Sequence, residues 1–175
     1  DPEDMRLVSI MPCVAKKYEA ERPELGLSGN KDVDIVITTR ELAIMIKESG
    51  INFDFLDEND DYDNPLGESS GAGTIFGTTG GVIEATLRTA YEFLTGEELT
   101  QVEFEQVRGL EGTKIAEVDI QGKKVRIGVV NGLGNARRLL EKIRSGEEEF
   151  HAVEIMACPG GCIAGGGQPY HHGDM

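Results

Sequence analysis

The chain has 175 residues and a mass of 19.0 kDa, the size of one ordinary domain. Its 32 acidic against 17 basic residues leave a net charge of −15, which argues against a nucleic-acid binder and against docking on an anionic membrane surface, since both need a basic face. Apolar residues make up 39%, enough for a core, yet no apolar run approaches the ~20 residues that span a bilayer.

Leu7 to Ile10 is a short apolar run that ends at Met11-Pro12-Cys13, a strand stopped where Pro12 has no N–H for a ladder. Val33 to Thr39 is a second, β-branched strand. Thr39 is expected to cap an amphipathic helix from Arg40 to Ser49, closed by Gly50. Residues 54–64 read as an acidic surface loop ending in Asn64-Pro65. Gly71 to Gly81 is a glycine-rich connection into a helix from about Val82 to Leu94, which stops at Gly96. A strand is expected over Val102–Val107. Ile115–Ile120 and Val125–Val130 flank Gln121-Gly122 as a hairpin. A basic amphipathic helix follows from Ala136 to Ile143, and the last strand, Ala152–Met156, runs into Ala157-Cys158. This alternation predicts an α/β fold, mainly a parallel sheet with helices on both faces. Ligands of such sheets sit at the carboxyl ends of strands. Cys13 and Cys158 both fall there.

Three cysteines, an odd number, fit a disulfide framework poorly. Asp1 begins just ahead of a strand and Met175 follows a loop, so the sequence reads as a piece of a longer chain.

The chemistry concentrates in Cys158-Pro159-Gly160-Gly161-Cys162, followed by Gly165-Gly166-Gly167-Gln168-Pro169. Two thiols on one loop, with three residues between them, can reach one metal centre. Glycines let the backbone approach and turn N–H groups toward sulfur. Thiolates suit soft centres, iron–sulfur clusters or zinc. A structural zinc would want a nearby C-x2-C pair or histidines. The bland alternative is a pair of inert, buried cysteines.

Two longer patterns are specific. Met11-Pro12-Cys13-Val14-Ala15-Lys16-Lys17-Tyr18-Glu19 reads M-P-C-x-x-K-x-x-E, and Glu154 to Gln168 reads E-x-M-A-C-x-x-G-C-x-x-G-G-G-Q. Together with Phe76-Gly77-Thr78-Thr79-Gly80-Gly81 between them, they resemble the catalytic subunit of iron-only (FeFe) hydrogenases, over essentially the whole chain. The resemblance implies a hydrogenase, interconverting H2 with protons and electrons, and an H-cluster: a 4Fe-4S cubane joined to a diiron subcluster with CO, cyanide and a bridging dithiolate. It makes Cys13, Cys158 and Cys162 three of the four cubane ligands, with Cys162 as the bridge to the diiron unit. Lys16 would donate to a cyanide. Met11, Met156 and Phe76 would pack around the diiron unit, and Pro12 and Gly161 would shape the cofactor pocket. The family's first cysteine signature, T-S-C-C-P, is absent, so the fourth cubane ligand is expected outside this chain. The implied domain is the later lobe of a two-lobed catalytic domain, residues 1–175, inactive alone. Its implied partners are the rest of the parent hydrogenase and ferredoxin or NAD(P)-linked electron-transfer subunits, in the cytoplasm.

Other motifs have competing readings. Asn131-Gly132-Leu133-Gly134-Asn135 follows a strand and opens a helix, as a dinucleotide fingerprint does, with Glu154 placed for a ribose contact. Arg137 occupies the third glycine position, however, and favours a plain strand-to-helix turn. Asp57 to Glu68 mimics a calcium loop, with Tyr62 at the glycine position and Pro65 interrupting it. His171-His172 reads as surface. The competing functions are a nonenzymatic hydrogenase-like iron–sulfur protein and a nucleotide-binding α/β domain.

Overall fold

A computed structural model describes residues 4–26, 31–56, 71–100, 102–106 and 112–170. The chain clusters into two compact units, one of residues 1–67 with 164–175 and the other of residues 68–163.

In the first unit, β1 (Val8–Met11) and β2 (Ile35–Thr38) pair in parallel, with Val8 opposite Ile35 and Met11 opposite Thr38. Between them lies α1 (Ala15–Glu19), a single turn too short to leave a helical period in the sequence. Helix α2 (Thr39–Glu48) follows β2 directly. Its cap is Thr38 and not the expected Thr39. Thr38 is extended (φ −82°, ψ 161°), its hydroxyl accepts the Glu41 N–H, and the Glu41 carboxylate accepts the Thr38 N–H in return. Glu41 stands three residues beyond Thr38, as this reciprocal box requires, and so selects between the two threonines.

The second unit holds α3 (Ala72–Ile75), α4 (Gly81–Thr95), β3 (Glu105–Gln106), β4 (Thr113–Ile120), β5 (Lys123–Asn131), α5 (Leu133–Ser145) and β6 (Ala152–Met156). Its sheet runs in the order β3-β4-β5-β6. The α/β architecture matches the expectation, and so do helices on both faces. Ile83 and Leu87 of α4 pack on Ala116, Ile127 and Val129, while Ala136 and Leu139 of α5 pack on Ile115 and Val130. The period-2 alternation of β5 makes this possible, sending Ile127 and Val129 to one face and Val130 to the other.

Strand direction is more mixed than expected. β1–β2 and β5–β6 are parallel, but β3–β4 and β4–β5 are antiparallel. For β4–β5 the cause is the Gln121-Gly122 turn, whose two residues carry positive φ (53° and 81°) and close a two-residue hairpin. The third predicted strand shrinks to Glu105–Gln106 among the described residues, while Val102 is buried in the core beneath α4. The acidic segment from residue 57, its calcium-like motif and His171-His172 lie outside the described residues.

Candidate metal centre

Each unit ends a parallel strand on methionine and places a cysteine two residues later. β1 ends at Met11 and leads through Pro12 to Cys13; β6 ends at Met156 and leads through Ala157 to Cys158. All three cysteines are free thiols, Cys13 and Cys158 half-buried and Cys162 exposed.

The Cys158–Cys162 loop lies against the segment that opens α4. Gly160 and Gly161 adopt φ values of 82° and 103°, which the turn demands and a side chain resists. A Cβ on Gly161 would stand 2.5 Å from the Gly77 carbonyl oxygen and 2.7 Å from the Thr79 nitrogen. The contact is hydrogen-bonded as well as close: the Thr79 N–H donates to the Gly160 carbonyl at 3.2 Å, and the Ile163 N–H to the Gly77 carbonyl at 3.0 Å. Phe76, just before this segment, is 46% exposed, whereas Met156 is buried.

In the first unit, the Pro12 carbonyl accepts the Gly167 N–H at 2.8 Å, and a Cβ on Gly167 would meet the Thr38 methyl at 2.9 Å. The Arg40 N–H and guanidinium donate to the Gly167 and Gly166 carbonyls. The glycine-rich tail of the second motif is thereby tied to the loop carrying Cys13. Gln168 closes that motif, and its side-chain Oε1 is buried with no hydrogen-bond partner among the described residues. Lys16 sits on α1 with its ammonium 2.6 Å from Glu19 Oε1, both side chains about half exposed. Lys16, Glu19 and Met11 line a cavity of about 610 Å3. The neighbouring Lys17 binds Glu41 at 2.5 Å and so ties α1 to α2. That ammonium, helped by the Thr38 N–H and hydroxyl, lowers the Glu41 carboxyl to about 2.

Cysteine is the residue whose thiolate form a cubane takes, and the three free cysteines are one fewer than its usual four. Cys13 belongs to one unit and the other two to the second, so neither unit by itself contains three. Among the described residues no group of three or more Cys, His, Asp or Glu is arranged to close on a metal ion. The donor chemistry fits an iron–sulfur cluster, and an orphaned buried amide at Gln168 leaves a polar atom for something further to satisfy.

Comparison with known proteins assigns the fold. Residues 1–166 match the family described as the iron only hydrogenase large subunit, C-terminal domain. The chain belongs to this family. The NADP-reducing hydrogenase subunit HndD of Solidesulfovibrio fructosivorans is 61% identical over 99% of this chain, which covers 29% of that protein. The periplasmic Fe hydrogenase large subunit of Nitratidesulfovibrio vulgaris is 50% identical over 97% of the chain, covering 40% of that protein. An apo FeFe-hydrogenase HydA1 variant from Chlamydomonas reinhardtii superposes with a TM-score of 0.75 at 41% identity, over 98% of this chain and 50% of that one. The chain thus spans about a third of these curated relatives. More distant relatives include the cytosolic iron-sulfur assembly component 3 of Mus musculus, at 31% identity.

Within this hydrogenase domain, two functional candidates escaped the sequence reading. Glu154 is no ribose ligand: its carboxylate accepts the Gly80 N–H at 2.6 Å and the Ile83 N–H at 2.8 Å. Asn131 donates to the Cys158 carbonyl at 2.5 Å and to the Thr79 hydroxyl at 3.2 Å. Gly132, which opened the apparent dinucleotide fingerprint, donates its N–H to the Met156 carbonyl. The signal for Glu154 was present as the first letter of its motif, but a carboxylate inside a strand says nothing about a helix more than 70 residues earlier.

Proposed function

We propose that this chain forms the later part of the catalytic domain of an iron-only hydrogenase, with residues 1–175 acting as one lobe, and that the whole protein catalyses reversible oxidation of H2. The observation that carries the reading is the pair of Met-x-Cys strand ends, one of them running into a thiol loop moulded by positive-φ glycines onto residues 77–79.

Cys13, Cys158 and Cys162 would hold the cubane, with the fourth thiolate supplied from outside these residues. The H-cluster, when bound, supplies the redox iron and the open site at which H2 is cleaved. The chain's own groups provide the setting. Met11 and Met156 offer soft, polarizable, apolar walls. Phe76 would add an aromatic one. Lys16 holds an ammonium beside Met11 at the cavity, where it can shift from Glu19 to an anionic ligand and make a charge-assisted hydrogen bond. Pro12 and Gly161 hold the backbone that carries the thiols: Pro12 through its carbonyl, Gly161 by the close approach it permits.

An NADP-linked or ferredoxin partner would exchange the electrons; the relative from S. fructosivorans is by name an NADP-reducing subunit. NADP is an intracellular coenzyme, so with such a partner we place the protein in the cytoplasm. The reading as a nonenzymatic assembly protein is weaker, because identity to such relatives is 31% against 61% for the hydrogenase subunit. Anaerobically prepared full-length protein should contain iron and show infrared bands of bound CO and cyanide. Iron without those bands would favour the assembly reading, and absence of iron would overturn both.

A further inference from the structure

Helix α4 starts at Gly81 behind Gly80, a capping residue with no side chain to offer the free N–H groups of the first turn. Glu154 supplies the missing acceptor from β6, taking one N–H on each oxygen. A carboxylate suits that position because helix N-termini carry partial positive charge. Four residues after Glu154 the same strand delivers Cys158. At the end of the adjacent strand β5, the Asn131 amide donates to the Cys158 carbonyl, to the Thr79 hydroxyl and, at 3.4 Å, to the Met156 carbonyl. The segment that Glu154 anchors is therefore the segment on which the thiol loop rests, through Thr79 to Gly160 and Gly77 to Ile163.

We propose that Glu154 and Asn131 are positioning residues that preset Cys158 and Cys162 for the metal centre by fastening residues 77–83 to the thiol loop. The metal itself rests on the hydrogenase reading above; the fastening does not. Isosteric substitutions separate hydrogen bonding from packing. Glu154→Gln turns an amide N–H toward a backbone N–H, and Asn131→Asp turns a carboxylate toward the Cys158 carbonyl.

The test follows alkylation of each cysteine by iodoacetamide in the anaerobically reduced protein, resolved by mass spectrometry, with Cys13 as the internal control. Each variant should speed Cys158 about tenfold relative to Cys13, the weight of one lost hydrogen bond. Equal acceleration of all three thiols, or none, would overturn the proposal. Amide exchange in the unsubstituted protein decides independently of whether the variants fold: the Gly80 and Ile83 amides should be protected, and rapid exchange at both would overturn it. Iron analysis of the anaerobically prepared full-length protein keeps the two readings distinguishable. If that protein holds no iron while the alkylation pattern appears, the metal reading falls and the fastening stands.

Discussion

Gly161 shows how much of the candidate site one missing methyl group controls. With φ at 103° and the Gly77 oxygen 2.5 Å from where a Cβ would stand, Gly161→Ala incurs both backbone strain and a clash with rigid backbone. Gly122 shares the positive φ (81°) but has nothing within 4 Å, so Gly122→Ala isolates the strain. Strain alone costs roughly 1–3 kcal/mol. Gly161→Ala should therefore lower the melting temperature well beyond Gly122→Ala, by several degrees more at about 2–4 °C per kcal/mol. Equal shifts in calorimetry would mean that the loop moves away freely. Lys16 makes a different prediction. Its ammonium is already paired with Glu19, so Lys16→Ala should leave folding nearly unchanged. Under the proposed function, the same substitution in the full-length protein should still abolish H2 turnover or diiron retention, while the cubane persists. A charge-assisted contact of that kind is worth roughly 1.5–3 kcal/mol. Unchanged cyanide infrared bands would remove Lys16 from the site.

At the scale of elements, the join between β2 and α2 is sensitive to pH. Glu41 has its carboxyl lowered to about 2 by Lys17 first and by Thr38 after it. A carboxyl depressed on folding stabilises the fold fully above its ordinary value of 4.5, and that contribution is lost as pH falls toward 2. The melting temperature should fall across that window, and Glu41→Gln should lower it at pH 7 but bring little further change at pH 2. The exposed ion pair should also weaken in high salt. Thr38→Ala removes the hydroxyl half of the box and should cost about 1 kcal/mol, the usual worth of such a cap. These elements also show what the sequence can and cannot express. The hairpin and the three long helices were legible because turn chemistry and apolar period are local. The choice of Thr38 over Thr39 was legible in principle, through Glu41. α1 was not, since five residues carry no period. Strand direction was only half legible: the hairpin itself requires antiparallel neighbours, yet alternating strands and helices suggested a mainly parallel sheet. The cysteines stood out by their glycines, whereas the hydrogen bonds of Glu154 and Asn131 join residues distant in sequence, and the motif letter at Glu154 does not disclose its partners.

At the scale of the whole chain, 175 residues hold three cysteines, and a cubane normally takes four. The two-stranded sheet of the first unit also leaves Val8, Ile10 and Ile35 about half exposed, although parallel strands are usually covered on both faces. The chain covers 29% and 40% of the two curated hydrogenase relatives described above and about half of the solved chain it matches, and under the proposed function the remainder of such a protein would supply both the fourth ligand and the cover. These 175 residues by themselves should therefore fold, because the second unit has a sheet packed by helices on both faces. They should nevertheless neither keep a complete H-cluster nor evolve H2. Any cubane reconstituted on three thiolates would depend on solvent or an added thiol for its fourth ligand and should be lost rapidly to a chelator. Exposed apolar side chains should at the same time bind a hydrophobic dye in the folded state. Anaerobic reconstitution, chelator challenge and gas chromatography with a strong reductant test this together. Robust H2 evolution, or a cluster that resists chelation with four iron atoms per chain, would show that these residues already contain everything the centre needs.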